Sequence, residues 1–439
     1  MEPEVLAITM FGSVLVGIFT GFPIAFVLAA IGLIFGYLGW GPQVMDQMIS
    51  RTFWVMSNDT FPAIPLFVFM GCVLERSGVI DRLFSDLRLA LGPLRGSLAL
   101  ATMLVCTIFA AATGIVGASV TVMGLIALPA MLRYGYNKEL ATGTILAGGT
   151  LGILIPPSIM LIIYGPMAQL SIAKMFAGAI VPGLVLSGLF SAYISLRCLI
   201  QPRMGPPMPK EERAIPPLQL ISKLVFSLLP TAFLVVAVLG SILFGLAAAT
   251  EAAAVGAAGA LLIGLAYRAL NWQKFKDSVY TTLKVSSMIL IIAVGASIFT
   301  GVFLRMGGGK VIEAVLMGLP ISPIFIMVVV LFFIFIMGMF LDWVGILLIF
   351  VPIIHPILPS LGLDPLWFAL VVCVTLQTSF LSPPYAVSIF YLKGVAPPEV
   401  KITDIYKGVI PFLTLQLIGV TLCIIFPKIV LWLPSILYK

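Results

Sequence analysis

Two proline pairs interrupt long apolar segments of the sequence: Pro156 and Pro157 in GILIPPSIMLIIYG, and Pro383 and Pro384 in SFLSPPYAVSIFYLKG. A proline pair removes two amide donors and disfavours helical geometry in the preceding residue, so nearby carbonyls lose their intrahelical partners. In a membrane such carbonyls survive only inside protein or beside a polar cavity. Carbonyls at a half-helix C-terminus suit a small hard cation, and the next half-helix N-terminus suits an anionic ligand. Each pair therefore predicts a binding site, with a simple packing kink as the alternative.

Two further apolar segments, residues 96–132 and 322–358, are interrupted by ATGIVGASVT and GMFLDWVGI. Each segment fits either two short spans or one re-entrant hairpin. Gly117 and Ser119 offer close backbone approach and a hydroxyl, whereas Asp342 is a carboxylate within an apolar run. An ionisable residue is costly inside a membrane, so Asp342 predicts a functional site unless it lies in water at a hairpin tip. Such oxygen-only sets match Na⁺ better than a transition metal, so we expect Na⁺ as the coupling ion and no other cofactor.

The composition indicates a polytopic membrane protein. The 439 residues are 61% hydrophobic and 9% charged, with a mean hydropathy of +1.20, and apolar runs long enough to span recur along the chain. The acidic start, MEPEV, predicts no cleavable signal peptide. The cysteines stand singly, the histidine is alone, and no GxxxxGK[ST] occurs, which argues against disulfides, a zinc centre and ATP hydrolysis. The net charge of +7 is spread among loops, which favours membrane anchoring over nucleic-acid binding.

The sequence contains an internal duplication. The first prolines of the two pairs are separated by 227 positions (383 − 156), and Tyr164 and Tyr391 keep that offset. Around them, FVFMGCVLERSG resembles SIFTGVFLRMGG, and MFAGAIVPGL resembles IYKGVIPFL. Gly178 and Gly408 of the second pair of segments are separated by 230 positions (408 − 178). The chain is therefore predicted to consist of two related halves.

Each half is predicted to begin with two apolar helices, at residues 5–40 and 220–270. A more polar segment follows in each, at residues 41–59 and 271–287, which is typical of an amphipathic helix lying along the membrane surface. An ordinary long loop is the alternative there. The proline-rich charged stretch at residues 202–217 cannot span a membrane and is predicted to link the halves.

Loop charges predict that the two halves lie upside down relative to each other. Arg95, Arg133 and Lys138 flank the interrupted segment of the first half, whereas the matching segment is followed by PSLGLDP, which has no basic residue. Conversely, Lys393 and Lys401 follow the second proline pair. Basic loops face the cytoplasm, so the copies have opposite orientations. Inverted repeats with broken helices near the midplane are typical of secondary transporters.

The motifs IPLFVFMG, ATGIVGASVTVMG, LATGTILAGGTLGILIPPS, TEAAAVGA, FLDWVGILLIFVPI and LSPPY together resemble the large membrane subunit of TRAP transporters, tripartite ATP-independent periplasmic carriers. The resemblance runs nearly end to end. It implies an ion transporter superfamily fold and Na⁺-driven uptake by an elevator mechanism across the bacterial inner membrane. The substrate would be an organic acid with a carboxylate. A periplasmic binding protein would deliver it to this subunit and a small four-helix membrane subunit.

The resemblance also implies a division of the chain into scaffold and transport parts. Each half would contain scaffold helices, an interfacial arm helix, a re-entrant hairpin and a broken helix. The hairpins would lie at about 96–132 and 322–358, and the broken helices at about 138–165 and 365–392. The implied units are scaffold and first arm at 1–59, first transport repeat at 60–200, cytoplasmic linker at 201–218, scaffold and second arm at 219–287, and second transport repeat at 288–439.

The resemblance implies two Na⁺ sites and one substrate site, each shared between a hairpin tip and an unwound stretch. Many relatives carry GSS where this chain has GAS, so a backbone carbonyl replaces one hydroxyl at the first tip. The implied residues are Gly117, Ala118, Ser119, Gly149, Gly152 and Pro156 for the first Na⁺; Gly338, Asp342, Thr378, Ser379, Ser382 and Pro383 for the second; and Ser119, Pro157, Ser158, Pro384 and Tyr385 for the substrate.

Three other functions remain open at this point. A stand-alone Na⁺/dicarboxylate symporter of the same architecture would need no binding protein. An intramembrane enzyme would need a nucleophile with a base, or paired carboxylates, and Asp342 has no obvious acidic or histidine companion in the sequence. A passive channel would neither depend on Na⁺ nor accumulate substrate. The identity of the organic acid does not follow from the sequence.

Overall fold

The computed structural model describes residues 3–213, 216–383 and 386–438, which form helices and turns and, within these ranges, no β-strand. The first half contains α1 (Pro3–Ile18), α2 (Ile24–Trp40), α3 (Val44–Met56), α4 (Ala63–Arg76), α5 (Val79–Ala90), α6 (Ser97–Thr113), α7 (Val116–Arg133), α8 (Lys138–Thr150), α9 (Ile159–Ala168) and α10 (Ile172–Ile200). The second half contains α11 (Pro217–Leu243), α12 (Ala249–Ala266), α13 (Trp272–Arg305), α14 (Gly308–Met317), α15 (Pro323–Gly338), α16 (Trp343–Ile354), α17 (Pro365–Ser379), α18 (Val387–Val395), α19 (Ile402–Ile425) and α20 (Lys428–Leu437).

Many of these helices have the length and composition of membrane spans. Within the described ranges seven helical segments are long and apolar enough to cross a bilayer, one of which, Ile24–Met56, runs through α2 and α3; the number is eight if α4 and α5, bent by 58°, form one span. Large apolar side chains such as Phe19, Phe226 and Phe332 are exposed on their outer surfaces. Contact with lipid tails is favourable for such apolar side chains, whereas contact with water is unfavourable. The prediction of an all-α polytopic membrane protein is confirmed.

The shorter apolar helices α6, α8, α9, α15, α16, α17 and α18 lie at the two interruptions of each half. Helices α6 and α7 are joined by two residues, and α15 and α16 are joined by four. Helix α7 packs against α18 of the other half, and α16 packs against α9. The second helix of each interrupted segment therefore contacts the second part of the broken helix of the other half.

The second polar segment does not form a separate helix. It is the beginning of α13, which continues without a break from Trp272 to Arg305. Near its middle α13 crosses α2 closely, because a Cβ added at Gly295 would lie only 3.0 Å from the carbonyl carbon of Ala25. The first polar segment, by contrast, forms the separate helix α3. The first polar segment is therefore a separate helix, whereas the second is continuous with the membrane span that follows it.

The proline-rich linker is docked against the first half along part of its length. The Gly96 amide donates to the Gly205 carbonyl at 2.8 Å, and the Met208 amide donates to the Gly92 carbonyl at 3.1 Å. The Met208 side chain is buried. These bonds satisfy backbone groups of the α5–α6 turn, which would otherwise need water. The part of the linker before residue 209 is therefore fixed to the first half.

Gln416 in α19 is a fully buried amide whose Oε1 and Nε2 both lack a hydrogen-bond partner among the described residues. A buried unsatisfied polar group of this kind costs about 1–3 kcal/mol. Replacing Gln416 by methionine, which keeps the length and removes both polar atoms, is expected to raise the thermal unfolding midpoint in detergent. The exposed Gln219→Met is the control and is expected to leave the midpoint unchanged. A lower midpoint for Gln416→Met would mean that the amide has a partner in the folded protein.

Candidate cation and substrate site

The first broken helix unwinds between Thr150 and Ile159. After α8 the chain makes one 3₁₀ turn and then passes through the Pro156–Pro157 peptide, which is cis. The Ser158 hydroxyl donates to the Ile153 carbonyl and thereby closes the unwound stretch. Because its proton is committed to this bond, Ser158 supports the loop. Ser158 was predicted to bind the substrate, whereas here it holds the backbone of the unwound stretch in place. This hydrogen bond was not predicted from the sequence.

A serine hydroxyl also bonds a backbone carbonyl across the break of the second broken helix. Helix α17 ends at Ser379, α18 begins at Val387, and the Ser388 hydroxyl donates to the Phe380 carbonyl across the break. Ser388 and Ser158 are separated by 230 positions (388 − 158), the offset already seen between matched glycines. Sequence analysis missed Ser388, because the offset of 227 kept by the prolines and tyrosines on either side matches Ser158 with Tyr385 instead. Pro384 and Tyr385, predicted for the substrate, lie outside the described residues.

At the first hairpin tip two hydroxyls face the unwound stretch. α6 ends at Thr113 and is followed by Gly114, whose φ of +61° favours glycine, and the Thr113 and Ser119 hydroxyl oxygens are 3.1 Å apart across this turn. A Cβ added at Gly152 would lie 3.8 Å from each of these two oxygens. Ser119 and Gly152, both predicted for the first Na⁺, therefore lie close together. Thr113 joins them, and the sequence analysis did not select it.

The other residues predicted for the first Na⁺ have different surroundings. A Cβ added at Gly149 would lie 3.3 Å from the Val120 amide nitrogen, so α8 packs closely on α7 one residue after Ser119. Gly117 lies against the ring of Tyr391 in α18, with 3.0 Å from an added Cβ to the nearest ring carbon. Ala118 is half-buried, and Pro156 is buried within the unwound stretch, as is Pro157 of the substrate set.

The second hairpin tip meets the end of α17. A Cβ added at Gly338 would lie 2.8 Å from the Ser379 hydroxyl oxygen and still closer to the Ser379 Cβ, so the two chains are in direct contact. Asp342 is half-buried at the start of α16, and its Oδ2 accepts a hydrogen bond of 3.2 Å from the Val344 amide. The carboxylate therefore caps a helix, and its remaining lone pairs stay available to a cation.

The hydroxyls at the end of α17 and just after it have committed their protons to the backbone. Thr378 donates to the Thr375 carbonyl, Ser379 to Leu376 at 2.5 Å, and Ser382 to Thr378 at 2.8 Å. A hydroxyl that has donated its proton can only accept a hydrogen bond or bind a cation with its lone pairs. These side chains are buried, whereas Pro383, the last residue predicted for this site, is exposed.

The hydroxyl groups come from the hairpin tip in one of the two contacts between a hairpin and a broken helix, and from the broken helix in the other. At the first, the hairpin tip supplies Thr113 and Ser119, and the broken helix supplies Gly152. At the second, the hairpin tip supplies Gly338, and the broken helix supplies Ser379 and its neighbours. Each interface thus pairs a glycine with hydroxyl oxygens, which allows close approach of the backbones without losing oxygen ligands.

Removing either serine hydroxyl that closes a break is expected to weaken the site rather than the fold as a whole. Ser158→Ala and Ser388→Ala each release one buried carbonyl, at a cost of about 1–3 kcal/mol. We expect each to raise the cation concentration needed for half-maximal activity in a reconstituted assay. Ser195→Ala, which removes a hydroxyl bond within the unbroken α10, is the control. Equal effects of all three changes would contradict a role at the breaks.

Comparison with known proteins identifies the family. The model of the family described as tripartite ATP-independent periplasmic transporter, DctM component, matches residues 11–429. The chain belongs to this family. The resemblance to TRAP transporters inferred from the motifs is thereby confirmed. With its apolar helices, this TRAP permease is a multi-pass protein of the inner membrane.

Several relatives cover most of the chain. It is 29% identical over 463 residues to the C4-dicarboxylate TRAP transporter large permease protein DctM of Vibrio cholerae, covering 100% of this chain and 98% of that protein. It is 33% identical over 411 residues to the isethionate TRAP transporter permease protein DctMQ of Oleidesulfovibrio alaskensis, covering 92% of this chain but 63% of that protein. The chain thus spans less than two thirds of the second relative.

A solved structure has the same fold. The crystal structure of the Alcanivorax borkumensis YdaH transporter matches with a TM-score of 0.65 and 14% sequence identity, over 98% of each chain. At this identity the likeness concerns the architecture alone. It agrees with the all-α membrane fold of this TRAP permease.

Proposed function

We propose that this TRAP permease is the large membrane subunit of a Na⁺-coupled secondary transporter for an organic acid. The observation that carries the proposal is the pair of contacts between hairpin tips and broken helices, each of which combines a glycine with buried hydroxyl oxygens. Such hard neutral oxygens, with the single carboxylate of Asp342, suit Na⁺. In the part of the chain that the structure describes, no group of three or more His, Cys, Asp or Glu side chains could hold another metal.

The substrate is proposed to be an organic acid with a carboxylate, bound between the hairpin tips and the starts of α9 and α18. A helix N-terminus favours a negative charge, and both half-helices begin at the breaks. Relatives of this chain are named for C4-dicarboxylate, ectoine, sialic acid and isethionate, of which isethionate carries a sulfonate instead of a carboxylate. Those names support an acidic substrate without selecting one for this protein.

Transport is proposed to follow an elevator mechanism, in which the hairpins and broken helices move together against α1, α2, α11 and α12. A periplasmic binding protein would deliver the substrate, and a small four-helix membrane subunit would complete the membrane complex. Relatives covered over nearly their full length are named TRAP transporter large permease proteins. That name supports a complex with a small membrane subunit over the stand-alone symporter, so the large subunit by itself should transport little.

The experiment is uptake into proteoliposomes that contain both membrane subunits, with the cognate binding protein and a panel of radiolabelled organic acids. Accumulation is expected only with an imposed inward Na⁺ gradient and only with the binding protein. Uptake that is indifferent to Na⁺ and never exceeds equilibration would instead support a passive channel. Strong Na⁺-driven uptake by the large subunit alone would support the stand-alone symporter.

Two substitutions of Asp342 separate its charge from its capping role. Asp342→Asn keeps an oxygen that can cap α16 and removes the charge, whereas Asp342→Ala removes both. If the carboxylate binds Na⁺, both variants need about tenfold more Na⁺ for half-maximal uptake. If Asp342 only caps the helix, Asp342→Asn keeps the wild-type Na⁺ dependence and only Asp342→Ala loses stability. The Na⁺ titration of uptake and the thermal midpoint of each variant distinguish these results.

A further inference from the structure

Gln377 joins equivalent points of the two halves. It lies in the last turn of α17, is fully buried, and its Nε2 donates to the Thr150 hydroxyl oxygen at 3.4 Å. Thr150 is the last residue of α8. The two residues are separated by 227 positions (377 − 150), the same offset as the proline pairs. The bond therefore links the ends of the two broken helices just before both unwind.

The donor and acceptor roles at this bond fix the orientation of the amide. The Thr150 hydroxyl donates its own proton to the Ala147 carbonyl at 2.9 Å, so it can only accept from Gln377. The NH₂ end of the amide must then face Thr150, and Oε1 must point away from it. Buried Oε1 accepts no hydrogen bond from any residue that the structure describes.

The main-chain carbonyl of Gln377 is also released from its helical partner. In a continuing helix the Leu381 amide would donate to Gln377, but it donates to the Thr378 carbonyl at 3.0 Å instead. Gln377 thus combines a buried side-chain oxygen without a partner and a main-chain oxygen freed by the end of the helix. Burying such acceptors without a donor or a cation is costly, so a partner is expected in some state of the protein.

We propose that Gln377 Oε1 is a Na⁺ ligand at the seam between the ends of α8 and α17. The inference rests on the proposed Na⁺ coupling and adds a residue outside the predicted sites. An amide oxygen is a hard neutral ligand of the same class as the neighbouring hydroxyl oxygens of Thr378 and Ser379. Because Nε2 holds Thr150, a cation on Oε1 ties the end of α8 to the end of α17. Cation binding in the second half is thereby communicated to the first.

The test measures Na⁺ binding by the thermal midpoint of the complex of both membrane subunits, titrated with NaCl against KCl at constant ionic strength. A ligand that binds the folded state raises the midpoint with its concentration, which yields an apparent Kd. Gln377→Met removes the oxygen and is expected to raise the apparent Kd for Na⁺ about tenfold or more, while the midpoint in KCl stays equal or rises. Gln416→Met makes the same change at another buried glutamine and should keep the wild-type Kd.

A second variant keeps the test decisive if Gln377→Met does not fold. Gln377→Glu retains an oxygen at the same position and adds a negative charge, so it should lower the apparent Kd for Na⁺ by about threefold or more. If either variant binds Na⁺ with the wild-type Kd, the inference about Gln377 is overturned, while the proposed function is not. An unchanged Na⁺ Kd with weaker binding of the organic acid also overturns it, because Oε1 would then accept from the substrate. If wild type itself shows no Na⁺ response, the proposed function fails together with the inference.

Discussion

Replacing Gly338 by alanine is expected to raise strongly the Na⁺ concentration that the proposed uptake by this TRAP permease requires. The added methyl would overlap the Ser379 Cβ and lie 2.8 Å from its hydroxyl oxygen, so the second hairpin tip would have to move away from α17. Rotation of the Ser379 hydroxyl cannot relieve a contact with Cβ. Overpacking of this kind costs about 1–3 kcal/mol, which corresponds to about a 5- to 150-fold loss of Na⁺ affinity if the tip must close on the ion. The Na⁺ titration of uptake in proteoliposomes measures this loss.

The same hairpin supplies a matched control. A Cβ added at Gly345 in α16 meets only the Ile24 side chain, at 3.6 Å, an ordinary contact. Gly345→Ala should therefore keep the wild-type Na⁺ dependence. In addition, Ser379→Gly combined with Gly338→Ala should restore the contact but not the missing hydroxyl, and so resemble Ser379→Gly alone. Normal uptake by Gly338→Ala would contradict a closed tip at this position.

Replacing Gly408 by alanine is expected to have the largest effect on stability. Helices α8 and α19 cross where Gly143 faces Gly408, and a Cβ added at Gly408 would lie 3.0 Å from the Glu139 carbonyl carbon and overlap its oxygen. The obstacle is backbone, which cannot rotate away as a side chain can. We expect a loss of about 3 kcal/mol or more in the free energy of unfolding. The thermal midpoint and the yield of monodisperse protein in detergent report this loss.

Gly188→Ala in α10 is the control for this experiment. A Cβ added there meets nothing within 4 Å, and alanine favours a helix over glycine by about 1 kcal/mol. The control should therefore be as stable as wild type or slightly more stable. If Gly408→Ala matched it, the helices would be further apart than the structure has them.

The places where the helices break could be predicted from the sequence, because they depend on local chemistry. Proline pairs remove amide donors, and α8 and α17 end at Thr150 and Ser379, a few residues before them. The partners of the side chains could not be predicted in this way. Thr113 faces Gly152 only because the hairpin packs on the unwound stretch, which is a tertiary contact. Ser388 offered no chemical signal of its own, and the offset of 227 around it matched Ser158 with Tyr385 instead.

Two further features depended on long-range contacts. The amphipathic pattern of residues 271–287 indicated a helix at the membrane surface but gave no sign that α13 would continue to Arg305. Nothing between the two parts breaks a helix, so periodicity alone left the boundary undefined. Likewise, proline and charge identified the linker, whereas its bonds to Gly92 and Gly96 required the turn that they complete.

The docked linker sets a limit on how far the two halves can separate. Met208 is fixed to the first half, and α11 begins nine residues later, at Pro217 (217 − 208). A fully extended chain advances at most about 3.6 Å per residue, so these residues reach about 32 Å. While the Met208 anchor holds, the distance between this anchor and the start of α11 cannot exceed that reach. In the proposed elevator mechanism, the tether length therefore sets an upper bound on how far the anchored helices can travel relative to α11.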